Sequence, residues 1–82
     1  MLVSLVIPVL NESDNLDALW ARLKETAARM PEIAFEAVFV DDGSSDDTAA
    51  RIRGLAVSGN IRWLLVQLSR NFGHQAAITA GM

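Results

Sequence analysis

The chain has 82 residues, 51% of them hydrophobic and 21% charged, which is the composition of one small globular domain, or part of one, and not of a disordered segment. It has no cysteine, which excludes a disulfide scaffold, a thiol redox pair and cysteine-held zinc, and makes a reducing, cytoplasmic setting the expectation. No apolar run approaches the roughly 18 residues of a membrane-spanning helix, and the opening Leu2-Val3-Ser4-Leu5-Val6 lacks a basic signal-peptide region.

The net charge of −3 is unevenly spread. All ten acidic residues fall within residues 1–50, whereas residues 51–82 carry Arg51, Arg53, Arg62 and Arg70 and no acid. These arginines are dispersed, with only Trp63 and Phe72 as aromatic neighbours, so no nucleic-acid footprint is read from them. Two solvated halves that complement each other are the simpler expectation.

Leu2 to Val9 is a β-branched apolar run and reads as a first strand buried on both faces, ending near Pro8. Asn11-Glu12-Ser13-Asp14 supplies helix-start chemistry. Leu16, Leu19, Trp20, Leu23 and Ala27 then keep helical spacing until the chain meets Pro31. Phe35 to Val40 reads as a second strand, broken by Asp41-Asp42-Gly43-Ser44-Ser45. Ser45 or Asp46 can cap a second helix, with Asp46 and Asp47 in its first turn and Ala49, Ile52, Leu55 and Ala56 as its apolar stripe. Ser58-Gly59-Asn60 is a turn. Ile61 to Leu68 is a third strand, Ser69 to Gly73 a loop, and His74 to Ala80 reads as a third helix. The order βαβαβα with short connections predicts an α/β fold: a parallel sheet with right-handed crossovers, the first half of a doubly wound domain.

In such a sheet, ligands sit beyond the carboxyl ends of the strands. Three polar segments fall there: Pro8-Val9-Leu10-Asn11-Glu12, Asp41-Asp42-Gly43-Ser44-Ser45, and Ser69-Arg70-Asn71-Phe72-Gly73-His74. The first has no glycine, so a G-x-G-x-x-G dinucleotide turn is excluded, and no G-x-x-x-x-G-K-[ST] phosphate loop exists. A phosphoacceptor receiver would need its acidic pair after the first strand, but here the pair follows the second. Asp41 and Asp42 are adjacent at a strand end and point to opposite sides, so they cannot face one ligand together. Either can equally cap the turn through its backbone. Glu12 also reads as a helix N-terminal acid, Arg70 as a solvated cation and His74 as a surface side chain. Trp20, Trp63 and the phenylalanines read most simply as core.

Taken together, the three segments resemble the start of inverting glycosyltransferases of family 2, with the A-type nucleotide-sugar fold. The resemblance rests on Ser4–Glu12, Val40–Asp46 and Arg70–Gly81, and so covers essentially the whole chain. The third segment is similar to the polyprenyl-phosphate branch, which includes dolichyl- and undecaprenyl-phosphate sugar transferases. The resemblance implies that Pro8, Leu10 and Glu12 line a nucleotide pocket, that Val40 packs on the base, and that Asp42 hydrogen-bonds to it, with Arg70 and Asn71 nearby. Leu10 stands where the family often has an aromatic residue. The implied strand order is 3-2-1.

The resemblance also sets expectations for the whole protein. Residues 1–82 would be the truncated nucleotide-binding half of a glycosyltransferase domain. The parent enzyme would move a sugar from a UDP- or GDP-sugar to a polyprenyl phosphate at the cytoplasmic membrane face. Its Mg2+ or Mn2+ ligands and its catalytic base would lie beyond Met82, so this stretch alone is expected to be inactive. Two other readings remain open: a stand-alone α/β interaction module with a vestigial nucleotide pocket, and a nucleotidyltransferase-like domain. Homo-oligomerisation through an exposed first strand or the last helix is expected as well.

Overall fold

The computed structural model describes residues 1–43, 47–57, 59–69 and 75–81. Its elements run β1 (Leu2–Val9), α1 (Ser13–Ala28), β2 (Ala34–Asp41), α2 (Thr48–Arg53), β3 (Ile61–Ser69) and β4 (Gln75–Ala80). The sheet order is β1-β2-β3-β4. The first three strands are parallel, so the expected order 3-2-1 is the observed one, read from the other edge.

The core lies on one face of this sheet. Phe35, Ala37 and Phe39 of β2 stand in register with Val3, Leu5 and Ile7 of β1 and with Ile61, Trp63 and Leu65 of β3. Leu16, Trp20 and Ala27 of α1 and Ile52 of α2 join the same buried cluster. The α1 stripe is therefore the one its helical spacing predicts. Trp20 packs on Phe39, with ring centroids 6.3 Å apart and the rings tilted by 54°. Each indole also finds a backbone acceptor: Trp20 Nε1–H donates to the Ala56 carbonyl at 2.9 Å, and Trp63 Nε1–H to the Leu55 carbonyl at 3.1 Å. The two tryptophans thus pin the chain just after α2 while filling the core.

Several expectations need correction. β1 is not buried on both faces. Its side chains alternate between half-buried and exposed, and no described element covers the face that carries Val6 and Pro8. That open face is apolar toward the carboxyl end, where Val6-Val38-Leu64 and Pro8-Val40-Val66-Ile78 form cross-strand rows. At the amino end it carries the polar row Ser4-Glu36-Arg62, tied by a 3.4 Å hydrogen bond from the Ser4 hydroxyl to Glu36 and a 3.3 Å Arg62–Glu36 ion pair. α2 is also shorter than its apolar stripe implied. It begins at Thr48 with Asp47 at the N-cap and ends before Gly54, so Leu55 and Ala56 follow the helix. The expected caps Ser45 and Asp46 lie outside the described residues.

The largest difference is at the end of the chain. Residues 75–80 are not a helix but β4, antiparallel to β3. A six-residue helix is marginal unless a surface receives its apolar side. The outer edge of β3 offers a full row of hydrogen-bonding groups instead, and the β-branched Ile78-Thr79 pair suits a strand. Gly81 fixes the pairing at its end. Its N–H donates to the Trp63 carbonyl at 2.9 Å, and the indole lies so close that an added Cβ would meet Trp63 Cε2 at 2.3 Å. Only a residue without a Cβ permits that approach.

The charge asymmetry resolves into complementary pairing. Arg51 reaches Asp17 of α1 at 3.3 Å and Asp47 at 3.4 Å, and Arg62 pairs with Glu36. These pairs are largely exposed, and each contributes little to stability.

Candidate functional site

The carboxyl ends of β1 and β2 lie side by side, because the parallel register runs on through Pro8–Val40 and Val9–Asp41. Neighbouring strands are about 4.8 Å apart, so the two following loops leave the sheet as close neighbours. Each turns sharply through a left-handed residue: Asn11 at φ 52° after β1, and Gly43 at φ 83° after β2. Asparagine tolerates this region and glycine favours it, which explains both residue types at these corners.

Beyond Asn11, Glu12 takes the N-cap position of α1, without a side-chain cap hydrogen bond. Its carbonyl accepts the Asn15 N–H at 2.9 Å, and its carboxylate accepts from Asn15 Nδ2 at 3.1 Å. Its own N–H crosses to the other loop and donates to Thr48 Oγ1 at 3.0 Å. Ser13 is buried and bonds sideways instead of capping the helix. Its hydroxyl donates to Asp47, which, with help from Arg51, holds that carboxyl below its ordinary value of 3.8. The N-termini of the two helices are therefore joined by side chains.

Asp41 and Asp42 part as adjacent strand-end residues must. Asp41 is buried on the core face, in register with Val9 and Gln67, whereas Asp42 is half-buried at the edge. Of the residues the sequence nominates, Glu12, Val40 and Asp42 are half-buried and Pro8 and Leu10 are exposed, all at this edge. Pro8 and Val40 share the open sheet face as direct cross-strand partners. Arg70 and Asn71 lie outside the described residues, as does His74. The sequence reading missed Ser13 and Thr48 as members of this edge. Their partners Asp47 and Glu12 are 34 and 36 positions away, and no local pattern announces such a pairing.

An open apolar cleft lies at the opposite end of the sheet, lined by Leu2, Phe35, Val57, Asn60, Ile61 and Arg62 among others. It borders the amino ends of the strands and holds no carboxylate. The carboxyl edge, with its turned loops and acids, is the better candidate in a parallel sheet. Among the described residues, no three His, Cys, Asp or Glu side chains come together to hold a metal ion. No described helix is long and apolar enough to cross a membrane.

A mostly parallel α/β sheet with polar loops gathered at one carboxyl edge is a Rossmann-like arrangement. Residues 4–82 match the family model for glycosyl transferase family 2, and the chain belongs to that family. It is 46% identical over 81 residues to the undecaprenyl-phosphate 4-deoxy-4-formamido-L-arabinose transferase of Edwardsiella ictaluri, covering 96% of this chain and 24% of the relative. The enzyme of the same name from Pseudomonas paraeruginosa is 46% identical over 80 residues, covering 98% of this chain and 23% of the relative. An uncharacterized glycosyltransferase of Synechocystis is 42% identical over 80 residues, with 98% and 24% covered. The chain thus spans about a quarter of the length of these relatives. No solved structure matches it.

Proposed function

We propose that this chain is the nucleotide-binding half of a glycosyltransferase that moves a sugar from UDP- or GDP-sugar to a polyprenyl phosphate. The observation that carries the reading is the β1–β2 register, which pairs Pro8 with Val40 and Val9 with Asp41, so that the segments carrying Leu10, Glu12 and Asp42 leave the sheet at one carboxyl edge. A fixed, half-buried carboxylate there accepts a base N–H or a ribose hydroxyl, and recognition of such groups discriminates strongly. Val40 and Pro8 offer an apolar surface beside it. The relatives named as undecaprenyl-phosphate transferases supply the acceptor class. In the whole protein, an oxygen of the acceptor phosphate would attack the anomeric carbon in line, and the nucleoside diphosphate would leave with the electrons of the broken C–O bond. One displacement inverts that carbon. The divalent metal common in this family has no ligand set among the described residues, and no step is assigned to it.

The reading is tested by titrating UDP and GDP into the labelled chain and following amide shifts. Binding is expected to move residues 8–12 and 40–43. Asp42→Ala is expected to weaken it about tenfold, the value of one hydrogen bond to a charged group. Unmoved shifts at millimolar nucleotide would overturn nucleotide binding by this chain.

We also propose that the chain self-associates through β1. This strand stands at the edge of the described sheet and carries no charge to guard it. The expected alternative route, a terminal helix, is removed by β4. Light scattering is expected to show a dimer or larger at high micromolar concentration; a monodisperse monomer would refute self-association.

A further inference from the structure

Two hydrogen bonds join the segment after β1 to the start of α2. The Glu12 N–H donates to Thr48 Oγ1 at 3.0 Å, and the Ser13 hydroxyl donates to the Asp47 carboxylate. Thr48 is fully buried and Ser13 nearly so. Together with the β1–β2 register these ties close a ring. The two strands are held at its base by Val9–Asp41, and the loops that leave them are held farther out by Glu12–Thr48. Glu12 is further fixed by Asn15, through both its carbonyl and its carboxylate. The Arg51–Asp17 pair spans the same two helices, but it is exposed and contributes little.

We infer that Thr48 is a positioning residue for the nucleotide site: its buried hydroxyl holds the Glu12 backbone so that the two ligand-facing loops keep one spacing. This rests on the nucleotide reading above. Thr48 does not touch the ligand; it acts through Glu12. The chemistry asks for a hydroxyl at this point. Its oxygen accepts the Glu12 N–H, and its methyl group fills buried space beside the start of α2. Valine keeps the volume and loses the acceptor, leaving a partly buried N–H without its partner. Serine keeps the acceptor and loses one methyl group. Ser13–Asp47 is the second tie of the same latch, made by the first residue of α1, next to Glu12.

The test is made on the 82-residue chain with Thr48→Val, Thr48→Ser and Ser13→Ala, using UDP and GDP as probes. Two readouts are taken: the nucleotide dissociation constant, and hydrogen exchange at the Glu12 amide relative to amides in β3. Thr48→Val is expected to bind about tenfold more weakly, the loss that follows when one partly buried hydrogen bond is broken from one side. The Glu12 amide is expected to exchange at least about tenfold faster while the β3 amides keep their rates, a local opening and not a global one. Thr48→Ser is expected to restore both readouts to within about twofold. A purely structural role for Thr48 would raise exchange in β3 along with Glu12, and that result overturns the inference. So does a Val variant that binds as the unmodified chain does. If Thr48→Val does not fold, Ser13→Ala carries the decision, with an expected weakening of about threefold and the same local exchange at Glu12; unchanged values overturn the latch. An unmodified chain that binds neither nucleotide overturns the nucleotide reading and this role with it.

Discussion

Trp20→Ala is expected to leave the chain without a cooperative unfolding transition. The indole is 3% exposed, stacks at a tilt on Phe39 and donates to the Ala56 carbonyl at 2.9 Å. Removing it opens a cavity between α1 and the sheet and strips a backbone acceptor of its partner. Large-to-small changes of this kind cost about 3–5 kcal/mol. A domain of this size sits near the lower end of the usual 5–15 kcal/mol or so of stability, and no described element covers one of its sheet faces. Trp20→Phe separates the two contributions. It keeps most of the ring and loses the N–H, and it is expected to cost about 1–2 kcal/mol. Circular dichroism during urea titration reads both. An alanine variant that melts cooperatively within about 1 kcal/mol of the unmodified chain would show that the core does not depend on this ring.

The same residue shows what sequence can reveal. Trp20 lies on a stripe with Leu16, Leu23 and Ala27, and its burial follows from helical spacing alone. The three parallel strands are legible for a similar reason: each is a mainly apolar run closed by a polar turn segment. The loops at the carboxyl edge followed from strand direction. Residues 75–80 read as helix in sequence because alanine-rich stretches favour helix, and only the vacant edge of β3, a tertiary feature, decides for strand. The burial of β1 is not legible in the same way, because an apolar run signals the absence of polar contacts but not which layers cover it. Within the site, the nominated Glu12 and Asp42 have local signatures in the loops that carry them. Thr48 has none. It reads as an ordinary helix-start residue until the chain brings Glu12 to it across 36 positions.

Asn60 is the second position where a small change is expected to have a large effect. In sequence it is the last residue of a turn. In the fold its side-chain Nδ2 donates toward three carbonyls, of Ala27 at 2.7 Å, Met30 at 3.0 Å and Ile33 at 2.7 Å. Its own carbonyl accepts the Phe35 N–H at 2.7 Å. An amide has two N–H bonds, so one of the three contacts is shared. The residue closes the end of α1, whose last carbonyls have no partner within the helix, and fastens it to the start of β3. Asn60→Ala is expected to cost about 2 kcal/mol at every pH, through carbonyls left without a donor. Asn60→Asp is expected to cost more at neutral pH, because an ionised carboxylate would face three carbonyl oxygens. Only the protonated form can donate there, so the folded state would raise this carboxyl above its unfolded value of about 3.9. A raised folded value means that the folded state holds its proton more tightly. The extra penalty is therefore absent below about pH 3.9, grows as pH rises, and is complete once pH exceeds the folded value. Urea titrations of both variants at pH 4 and pH 7 check this. The aspartate variant is expected to approach the stability of the alanine variant, or exceed it, at the lower pH and to fall at least about 1 kcal/mol below it at the higher. Equal stability of the two at both values would mean that the carbonyl cluster does not sense the charge, and an alanine variant as stable as the unmodified chain would mean that Asn60 serves the fold only through its backbone.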